Sequence, residues 1–587
     1  MAKPKPNIDE KLPNRTHIPH WKMVWSQSTL TPEVITWPYE GSGTTTDPYI
    51  VTWLPSDSRD PMQFPQWKKW CLTCLVALVT MAVALISSAY SVTIPQIMEE
   101  FHVSSIVATL GISLYVLGFA IGPVVWGPLS ELYGRQHILF ISYAFLTAFN
   151  AGAAGARNIS TLLILRFLAG AFGASPLTNA GAVVADLFPA SHRGVAMTLF
   201  AAAPSTGPVL GPIVGGFLGQ AAGWRWVQGL MAAFSGTVWL MATFFLPETY
   251  SVVLLRKRAK ALEEASADGR VYRSRAEMRE KRLTAGERIS TALFRPWVLF
   301  FHEPIVMILS IYLAVVYGTL YLLFAAYPLV YNRDRHWSES IGGLAFLGVL
   351  VGSACSLIYS YFDNSRYMRV CASYPGGRAP PEARLPPVMV GAVACPVGLF
   401  WFAWTNAPTV HWLVSISAGG VFAFGMILAF LSINYLVDAY TVYAASVIAS
   451  TTVLRSLAAA AFPLFTGKMY ERLGIHWASS VPAFLALACA PFPFLFWKYG
   501  SRVRKRCKYA SIVEQNMLQE RRDMEVAMRL GRVEVVVGAE EGKEMEPDSE
   551  KEGGLEKEAG LGEEEEEVVE EEEREEVDDG VGTLPRR

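Results

Sequence analysis

The feature that most constrains the fold of this chain is a short apolar segment at residues 204–217, PSTGPVLGPIVGGF. Its prolines and its glycines each recur every four residues, at Pro204, Pro208 and Pro212 and at Gly207, Gly211 and Gly215, the last followed by Gly216. On a helix, this spacing removes one line of backbone hydrogen bonds and forms a stripe that a neighbouring helix can approach closely. Such a helix is unstable in water, but in a bilayer neighbouring helices can satisfy the freed backbone groups. The segment therefore predicts a bent, closely packed membrane-spanning helix.

The rest of the chain is also typical of a membrane protein. Of its 587 residues, 52% are hydrophobic and only 17% are charged. Runs of about 18 to 25 mostly apolar residues, each long enough to cross ~30 Å of hydrocarbon, recur along the chain. We predict twelve spans, at residues 70–91, 105–126, 137–155, 160–183, 195–219, 226–246, 299–324, 341–362, 387–405, 411–435, 444–466 and 479–498.

Basic residues predict the orientation, because Lys and Arg in short loops accumulate on the cytoplasmic side. The most basic segment is the linker at 247–296, and further basic residues lie at 366–384 and 502–508. These positions place both termini in the cytosol. The first apolar run also begins too late in the chain to belong to a cleavable signal peptide.

The basic linker divides the chain into two six-span halves, the layout of transporters built from paired repeats with a binding site between them. We expect the linker to form an amphipathic surface helix or to stay disordered. The Glu-rich tail after Gly538 is expected to be disordered. The predicted domains are a cytosolic N-terminal tail (1–66), a first bundle (67–250), the linker (251–296), a second bundle (297–500) and a cytosolic tail (501–587).

A charged loop, GPLSELYGRQ at residues 127–136, lies between predicted spans two and three. Glu131 and Arg135 are four residues apart, a spacing at which they can bond helix ends or each other. The loop resembles the signature G-x-L-x-D-x-x-G-R of the major facilitator superfamily, which that family carries at this position. Two residues depart from the pattern: Glu131 replaces the usual Asp, and Gln136 replaces the basic residue that often follows Gly-Arg.

Three further segments narrow the resemblance. LLILRFLAGAFGA at 162–174 is similar to the fourth-span signature with a membrane-embedded arginine, here Arg166. Residues 204–217 resemble the fifth-span signature of antiporters, and LPETY at 246–250 resembles fungal twelve-span drug–proton antiporters. RPWVLFFHEPIV, YGTLYLLF and NYLVDAY resemble the polyamine and multidrug resistance branch. The resemblance implies an all-α major facilitator fold and proton-coupled export, by alternating access, of drugs, toxins, secondary metabolites or polyamines.

Arg166 lies inside predicted span four, where an arginine costs about 2.5 to 3.5 kcal/mol to insert. It should therefore face the protein interior. One interpretation is a fixed positive charge near the translocation path that lowers the pKa of an acid or responds to its protonation. The alternative is an arginine that only bonds carbonyl groups in a bent helix.

Acidic candidates for carrying a proton lie near the predicted membrane boundaries, where burial can raise a pKa: Asp186, Glu303 and Asp438. Each can instead be a solvated helix-end charge. For Asp186, pairing with Arg135 or with Arg193 is the favoured role. Arg455 in span eleven is a second buried cation, with Asp438 or Glu131 as candidate partners.

The substrate site is expected at the midplane between the two halves. Aromatic and amide side chains in apolar spans are the candidate lining, and they suit amphipathic or cationic organic molecules. These residues are Tyr115, Asn179, Tyr317, Tyr321, Phe324, Asn434 and Tyr435.

Other chemistry is not indicated. The chain has no GxxxxGK[ST] phosphate loop, so an ion gradient is the expected energy source. No enzyme activity, cofactor, metal or nucleic-acid partner is predicted; the expected partners are a small-molecule substrate, protons and the lipid bilayer. A monomer in the plasma membrane or the vacuolar membrane is expected. The alternatives are a nutrient facilitator or symporter and a transporter-like receptor that moves no substrate.

Overall fold

A computed structural model describes residues 17–189, 193–266, 269–279, 285–374, 379–511 and 513, and most of them are helical. Almost all belong to one structural unit, residues 1–518. The second unit, residues 519–587, lies outside the described residues, as does the acidic tail predicted after Gly538.

The first part of the chain contains ten helices and one short strand. In chain order these are α1 (His20–Trp25), α2 (Pro32–Thr36), β1 (Tyr49–Val51), α3 (Gln66–Ala89), α4 (Ile94–Phe101), α5 (Ser105–Phe119), α6 (Gly122–Tyr133), α7 (Arg135–Ala154), α8 (Ile159–Leu187), α9 (Arg193–Ala222) and α10 (Trp224–Phe245).

The second part begins with the linker and continues through the second half. In chain order its elements are α11 (Ser251–Ala265), β2 (Tyr272–Ser274), α12 (Arg275–Arg279), α13 (Ala285–His302), α14 (Pro304–Tyr327), a π-helical turn (Pro328–Asp334), α15 (Glu339–Leu344), α16 (Leu347–Ala372), α17 (Leu385–Thr405), α18 (Trp412–Phe430), α19 (Ser432–Ala439), α20 (Ala444–Cys489) and α21 (Pro491–Arg506).

Within the described residues, ten helical stretches are long and apolar enough to cross a membrane. The last of them, Ala444–Arg506, has 63 residues and contains both α20 and α21. Gly474 interrupts α20 with a φ of 71°, which is not helical. The prediction of an all-α membrane protein is confirmed, whereas the count of twelve spans stays a prediction.

Several spanning stretches are broken near a proline. The first stretch ends as helix α3 at Ala89 and resumes as α4, with Pro95 in its first turn. The second is broken between α5 and α6 just before Pro123. Proline removes a backbone donor and disfavours helix at the residue before it, so these breaks expose carbonyl groups inside the membrane. Predicted span seven is shorter than expected at its start, because α14 begins at Pro304 and Glu303 precedes it.

The glycine stripe of α9 is a packing surface, as predicted. An ideal Cβ built at Gly211 would lie 2.7 Å from the carbonyl oxygen of Leu85, and one at Gly215 would lie 2.7 Å from that of Ala89. Both contacts are with α3, which therefore approaches the α9 backbone directly. All three prolines of the segment lie inside α9: Pro204, Pro208 and Pro212.

The neighbouring face of α9 contacts the second half of the chain. An ideal Cβ at Gly216 would lie 2.8 Å from the carbonyl oxygen of Glu339, and one at Gly343 would lie 2.6 Å from that of Pro212. Both partners of α9 here belong to α15. The segment that first indicated a membrane protein thus joins the two halves.

The N-terminal segment packs against the linker, a contact that the sequence did not predict. Strand β1 pairs in parallel with β2, and the carboxylate of Asp57 accepts two hydrogen bonds from Arg258, at 2.5 and 3.2 Å. From its sequence, the linker is expected to form an amphipathic helix on the membrane surface or to be disordered. Helix α11 does neither, because the buried face of this helix packs on the N-terminal segment. The apolar cluster between them consists of Val34, Tyr39, Val51, Leu54, Ala259, Leu262 and Tyr272.

Replacing Gly211 by Leu should destabilise the protein, because the added side chain meets the α3 backbone. Overpacking of this kind costs about 1 to 3 kcal/mol, and backbone atoms cannot move aside as a side chain can. Thermal unfolding of the detergent-purified variant should therefore begin at a lower temperature than for the wild type. Gly229→Leu is the control, because an ideal Cβ at Gly229 would have no neighbouring group within 4 Å. Equal unfolding temperatures for the two variants would contradict the close packing.

Candidate functional site

Arg166 is completely buried at the centre of the first half. Its guanidinium donates three hydrogen bonds to carbonyl oxygens: Nε to Gly111 at 3.1 Å, Nη1 to Ile86 at 3.2 Å and Nη2 to Ser87 at 3.2 Å. No carboxylate among the described residues forms an ion pair with it. This geometry matches the carbonyl-bonding interpretation of Arg166.

The carbonyls that Arg166 binds belong partly to the broken end of α3. Ile86 and Ser87 lie in the last turn of that helix, where carbonyl groups have no partner within the helix. A cation is favourable at a helix C-terminus because the aligned peptide dipoles leave negative charge there. Arg166 therefore caps the C-terminal end of α3.

Two tyrosine rings complete the environment of Arg166. Its guanidinium carbon lies 4.9 Å from the ring centre of Tyr90 and 4.3 Å from that of Tyr115, so both rings form cation–π contacts. The Tyr115 hydroxyl donates to the carbonyl of Val83 at 3.2 Å. Tyr115 is thus buried in the first half, beside the arginine.

A chain of polar groups joins the two halves near this arginine. Ser87 Oγ lies 2.9 Å from the hydroxyl of Tyr321, and that hydroxyl lies 3.5 Å from the hydroxyl of Tyr317. The guanidinium carbon of Arg455 lies 5.2 Å from the Tyr317 ring centre and 5.6 Å from that of Phe430. The four residues form a continuous path, Ser87–Tyr321–Tyr317–Arg455, from α3 across the interface to α20.

The other predicted lining residues divide into two groups. Phe324 packs edge-on against Tyr321, beside the interface path. Asn179 is buried in α8 and donates to Ser175 Oγ at 3.2 Å. The structure does not bring Asn434 and Tyr435 to the same place: Asn434 is exposed on α19, and Tyr435 stacks on Phe496.

An apolar cavity of about 340 Å³ opens between the two halves. It lies along the break between α5 and α6, where span two faces α20. Its wall is almost entirely apolar, and it is lined by Leu117, Ala120, Ile121, Val124, Phe167, Trp297 and Val453.

The charged loop after α6 forms an ion pair with the end of α8. Arg135 Nε lies 3.8 Å from Asp186 Oδ2, and Arg135 is one of the two partners that the sequence offered for this aspartate. The guanidinium stacks over the ring of Tyr250. The alternative bond between Glu131 and Arg135 is absent from the described ion pairs, and Glu131 is exposed. Gly134 explains the difference: its φ of 97° ends α6 before Arg135 begins α7, so the four-residue helical spacing does not apply.

The second half carries an equivalent ion pair. Arg384 Nε lies 2.9 Å from Asp438 Oδ2, and its guanidinium stacks over the ring of Tyr367 at 3.5 Å. Arg384 precedes predicted span nine as Arg135 precedes span three, and Asp438 ends span ten as Asp186 ends span four. Asp438 is therefore not the partner of Arg455, nor is the exposed Glu131.

Glu303 is buried at the start of α14 and is fully bonded. Its carboxylate accepts from the hydroxyl of Tyr440 and from the backbone N–H of Tyr509, both at 2.8 Å. These bonds join α14 to the segment after α21. Glu303 therefore connects helix ends on the linker side of the protein.

The comparisons with known proteins agree with this architecture. The sequence model of the Major Facilitator Superfamily matches residues 76–463. The chain belongs to the major facilitator superfamily. It is 59% identical to the MFS-type efflux pump MFS2 of Trichophyton rubrum, over 84% of this chain and 83% of that protein. It is 58% identical to the multidrug transporter mdrA of Aspergillus fumigatus, over 86% and 82%.

A solved structure supports the fold of this major facilitator protein. The xylose transporter XylE of E. coli, in a partially occluded inward-open conformation, superposes with a TM-score of 0.52 at 15% sequence identity. The match covers 73% of this chain and 99% of that one. This protein is thus a multi-pass membrane protein with the major facilitator fold.

Glu248, within the LPETY segment, is a site residue that sequence reasoning missed. Its buried carboxylate accepts hydrogen bonds from the backbone N–H groups of Arg135 and Gln136, both at 3.1 Å. It also accepts from those of Thr249 and Tyr250. A carboxylate is favoured at the N-terminus of α7 because four N–H groups there lack helical partners.

The N-terminal segment also contacts Glu248. The guanidinium of Arg59 is buried and donates to the carbonyl oxygens of Glu248, at 3.2 Å, and Met23, at 3.4 Å. Burial lowers the pKa of Arg59 to about 10, while the negative charge of Glu248 acts in the opposite direction. A comparison of the two halves could have found Arg384 from sequence, but only the folded chain brings Arg59 to Glu248.

Replacing Glu248 by Ala should destabilise this major facilitator protein strongly, because buried N–H groups of α7 and the Arg59 charge lose their compensation. Breaking such a buried charged network costs about 3 to 5 kcal/mol. Glu131→Ala in the neighbouring loop is the control and should change little, because Glu131 is exposed. Thermal unfolding of both purified variants measures the difference; a Glu248→Ala protein as stable as the control would show that the carboxylate has no capping role.

Proposed function

We propose that this protein is a proton-coupled exporter that moves organic compounds out of the cytosol by alternating access. Export is supported by the names of two relatives, an efflux pump and a multidrug transporter, that are 59% and 58% identical to it. The observation that carries the mechanism is the repeated ion pair, Arg135–Asp186 in one half and Arg384–Asp438 in the other.

Contacts between the halves are found on the side opposite the linker. Gln96 Nε2 donates to Glu339 Oε2 at 2.9 Å, and the backbone N–H of Ser340 donates to Gln220 Oε1 at 3.2 Å. The apolar cavity lies beside the middle of span two, between the two halves. This arrangement fits a state closed on the far side, from which rocking of the halves exposes the interface to the other compartment.

In this proposal the two aspartates couple the rocking to protons. Each holds an arginine at the end of a neighbouring span, and protonation removes the charge that holds it. Releasing Arg135 or Arg384 loosens the loop that joins two spans within one half. Glu303 has the same chemistry at the start of α14, but the described partners of its carboxylate are a tyrosine hydroxyl and a backbone N–H group, not an arginine.

Arg166 fits a positioning role in this scheme. Its three hydrogen bonds to carbonyl oxygens hold the broken end of α3 in place, next to the serine that contacts Tyr321. It therefore supports the interface path and leaves the exchange of protons to the carboxylates.

We further propose twelve spans with both termini in the cytosol and a monomer in the plasma membrane or the vacuolar membrane. This count is supported by the long helix α9 and by the interrupted stretch Ala444–Arg506, which is long enough for two spans, in addition to the other described stretches. The basic linker supports the orientation, because Lys and Arg favour the cytoplasmic side.

Replacing Asp186 or Asp438 by Asn should uncouple transport from the pH gradient, because Asn keeps the size of the side chain but cannot change charge. In liposomes loaded with a panel of neutral, cationic and anionic organic compounds, we expect gradient-driven transport to fall about tenfold or more. Exchange of substrate at equal pH should persist. Asp363→Asn is the control, since Asp363 pairs with Arg366 within a single helix.

Three outcomes would separate the candidate activities. Movement of substrate against the proton flow supports an exporter, movement with it indicates a symporter, and no movement of any compound by correctly inserted protein indicates a receptor. If both Asp→Asn variants retain full gradient-driven transport, the repeated ion pair does not couple protons.

A further inference from the structure

Arg455 is a cation deep in the spanning part of the second half. It lies eleven residues after Ala444, the first residue of α20, which corresponds to about 16 Å along the helix. That depth is close to the middle of a bilayer whose hydrocarbon core is about 30 Å thick. Unlike Arg166, it retains some accessible surface.

The side chain of Arg455 has no polar partner in the part of the chain that the structure describes. Its Nε is buried without a hydrogen bond, and its contacts are the faces of two aromatic rings, Tyr317 and Phe430. Arg166 is the natural comparison, because its three donor nitrogens are all occupied by carbonyl oxygens. Of the two central arginines, Arg455 is the one left with free donors.

The two carboxylates of the second half that the sequence indicates as candidates already have other partners. Asp438 is paired with Arg384, and Glu303 is bonded to Tyr440 and to the backbone of Tyr509. Both lie at helix ends on the linker side, away from the depth of Arg455. Within the described residues, no acid compensates this charge, and an uncompensated charge at the membrane centre is strongly unfavourable.

The surroundings of Arg455 suit a ligand with a flat apolar body. The Tyr317 ring lies between Arg455 and Tyr321, whose hydroxyl meets Ser87 of the first half. Aromatic faces bind apolar rings, and the hydroxyl groups can orient a polar substituent. A ligand that contacts Arg455 therefore lies beside the path that joins the two halves.

We propose that Arg455 binds the carboxylate of an amphipathic organic anion, so that the exported compounds include aromatic carboxylic acids. This inference rests on the proposed export function and specifies one class of its substrates. A guanidinium forms two parallel hydrogen bonds with a carboxylate, a geometry that a lysine or a neutral amide cannot reproduce.

This assignment differs from the sequence-based expectation of cationic substrates. That expectation rested on the aromatic side chains alone, which attract cations through their ring faces. In the structure, Arg166 already occupies the faces of Tyr90 and Tyr115, and Arg455 occupies those of Tyr317 and Phe430. A cationic substrate would meet two like charges there and would be repelled.

Three matched probes test the charge of the ligand. Naphthoate, naphthamide and naphthylmethylammonium share one ring system and carry a negative, a neutral and a positive group. Binding to the full-length purified protein is measured by ligand-induced thermal stabilisation. Gradient-driven transport of the same probes is measured in liposomes.

The variants are Arg455→Gln, which removes the charge, and Arg455→Lys, which keeps it without the planar fork. Arg472→Gln is the matched control, because Arg472 lies on the same helix and is exposed. We expect wild-type protein to prefer naphthoate and Arg455→Gln to bind it about tenfold more weakly, while naphthamide changes less than about twofold. Arg455→Lys should be intermediate, and Arg472→Gln should match the wild type.

The two readouts distinguish failure of this inference from failure of the proposed function. If wild-type protein transports naphthamide or the cation as well as naphthoate, or if Arg455→Gln binds naphthoate normally, the anion site is refuted while export stands. If naphthoate binds through Arg455 but correctly inserted protein transports neither the three probes nor any compound of the earlier panel, the anion site is supported and the export function is refuted.

Discussion

The structure depends on one constraint: backbone carbonyl groups released by helix breaks inside a membrane must find donors within the protein. Helix α3 ends at Ala89, within the apolar stretch Gln66–Phe101, and Arg166 donates to the carbonyls of its last turn. The stripe of α9 then fits against this same helix, since an added Cβ at Gly211 would meet Leu85. The arginine and the glycines therefore act on the same end of α3: the arginine binds its free carbonyl groups, and the glycines let α9 pack closely against it.

The two loop ion pairs show the repeat of the halves. Arg135 precedes predicted span three and pairs with Asp186 at the end of span four. Arg384 precedes predicted span nine and pairs with Asp438 at the end of span ten. Each guanidinium also stacks on a tyrosine, Tyr250 or Tyr367. The halves differ around these pairs, because only the first has the Glu248 cap and the contact with Arg59. The first half is thus tied to the N-terminal segment, whereas the second is tied to the chain after α21.

Much of the fold could be predicted from the sequence, because long apolar runs and the proline–glycine spacing act locally. The pairing of Asp186 with Arg135 was one of two that the sequence offered, and the positions of Asp186, Arg135 and Arg193 near span ends could not choose between them. The bond between Glu131 and Arg135 did not form because Gly134 interrupts the helix, a backbone conformation that the four-residue spacing does not reveal. The contacts of Glu248 and Arg59 could not be predicted, since they join residues far apart in sequence through backbone groups.

The charges of the described spans are distributed in a way that limits how transport can work. The carboxylates that have partners, Asp186 and Asp438 among them, lie at span ends, whereas the centre holds two arginines. Protons and substrate therefore do not compete for one acid at the centre of the described spans. Any coupling between them has to pass through movement of the helices that connect the span ends with the centre. Arg166 cannot join that movement easily without releasing three carbonyls. Arg455 has no such bonds to lose, so a ligand that binds there can change its environment at little cost to the fold.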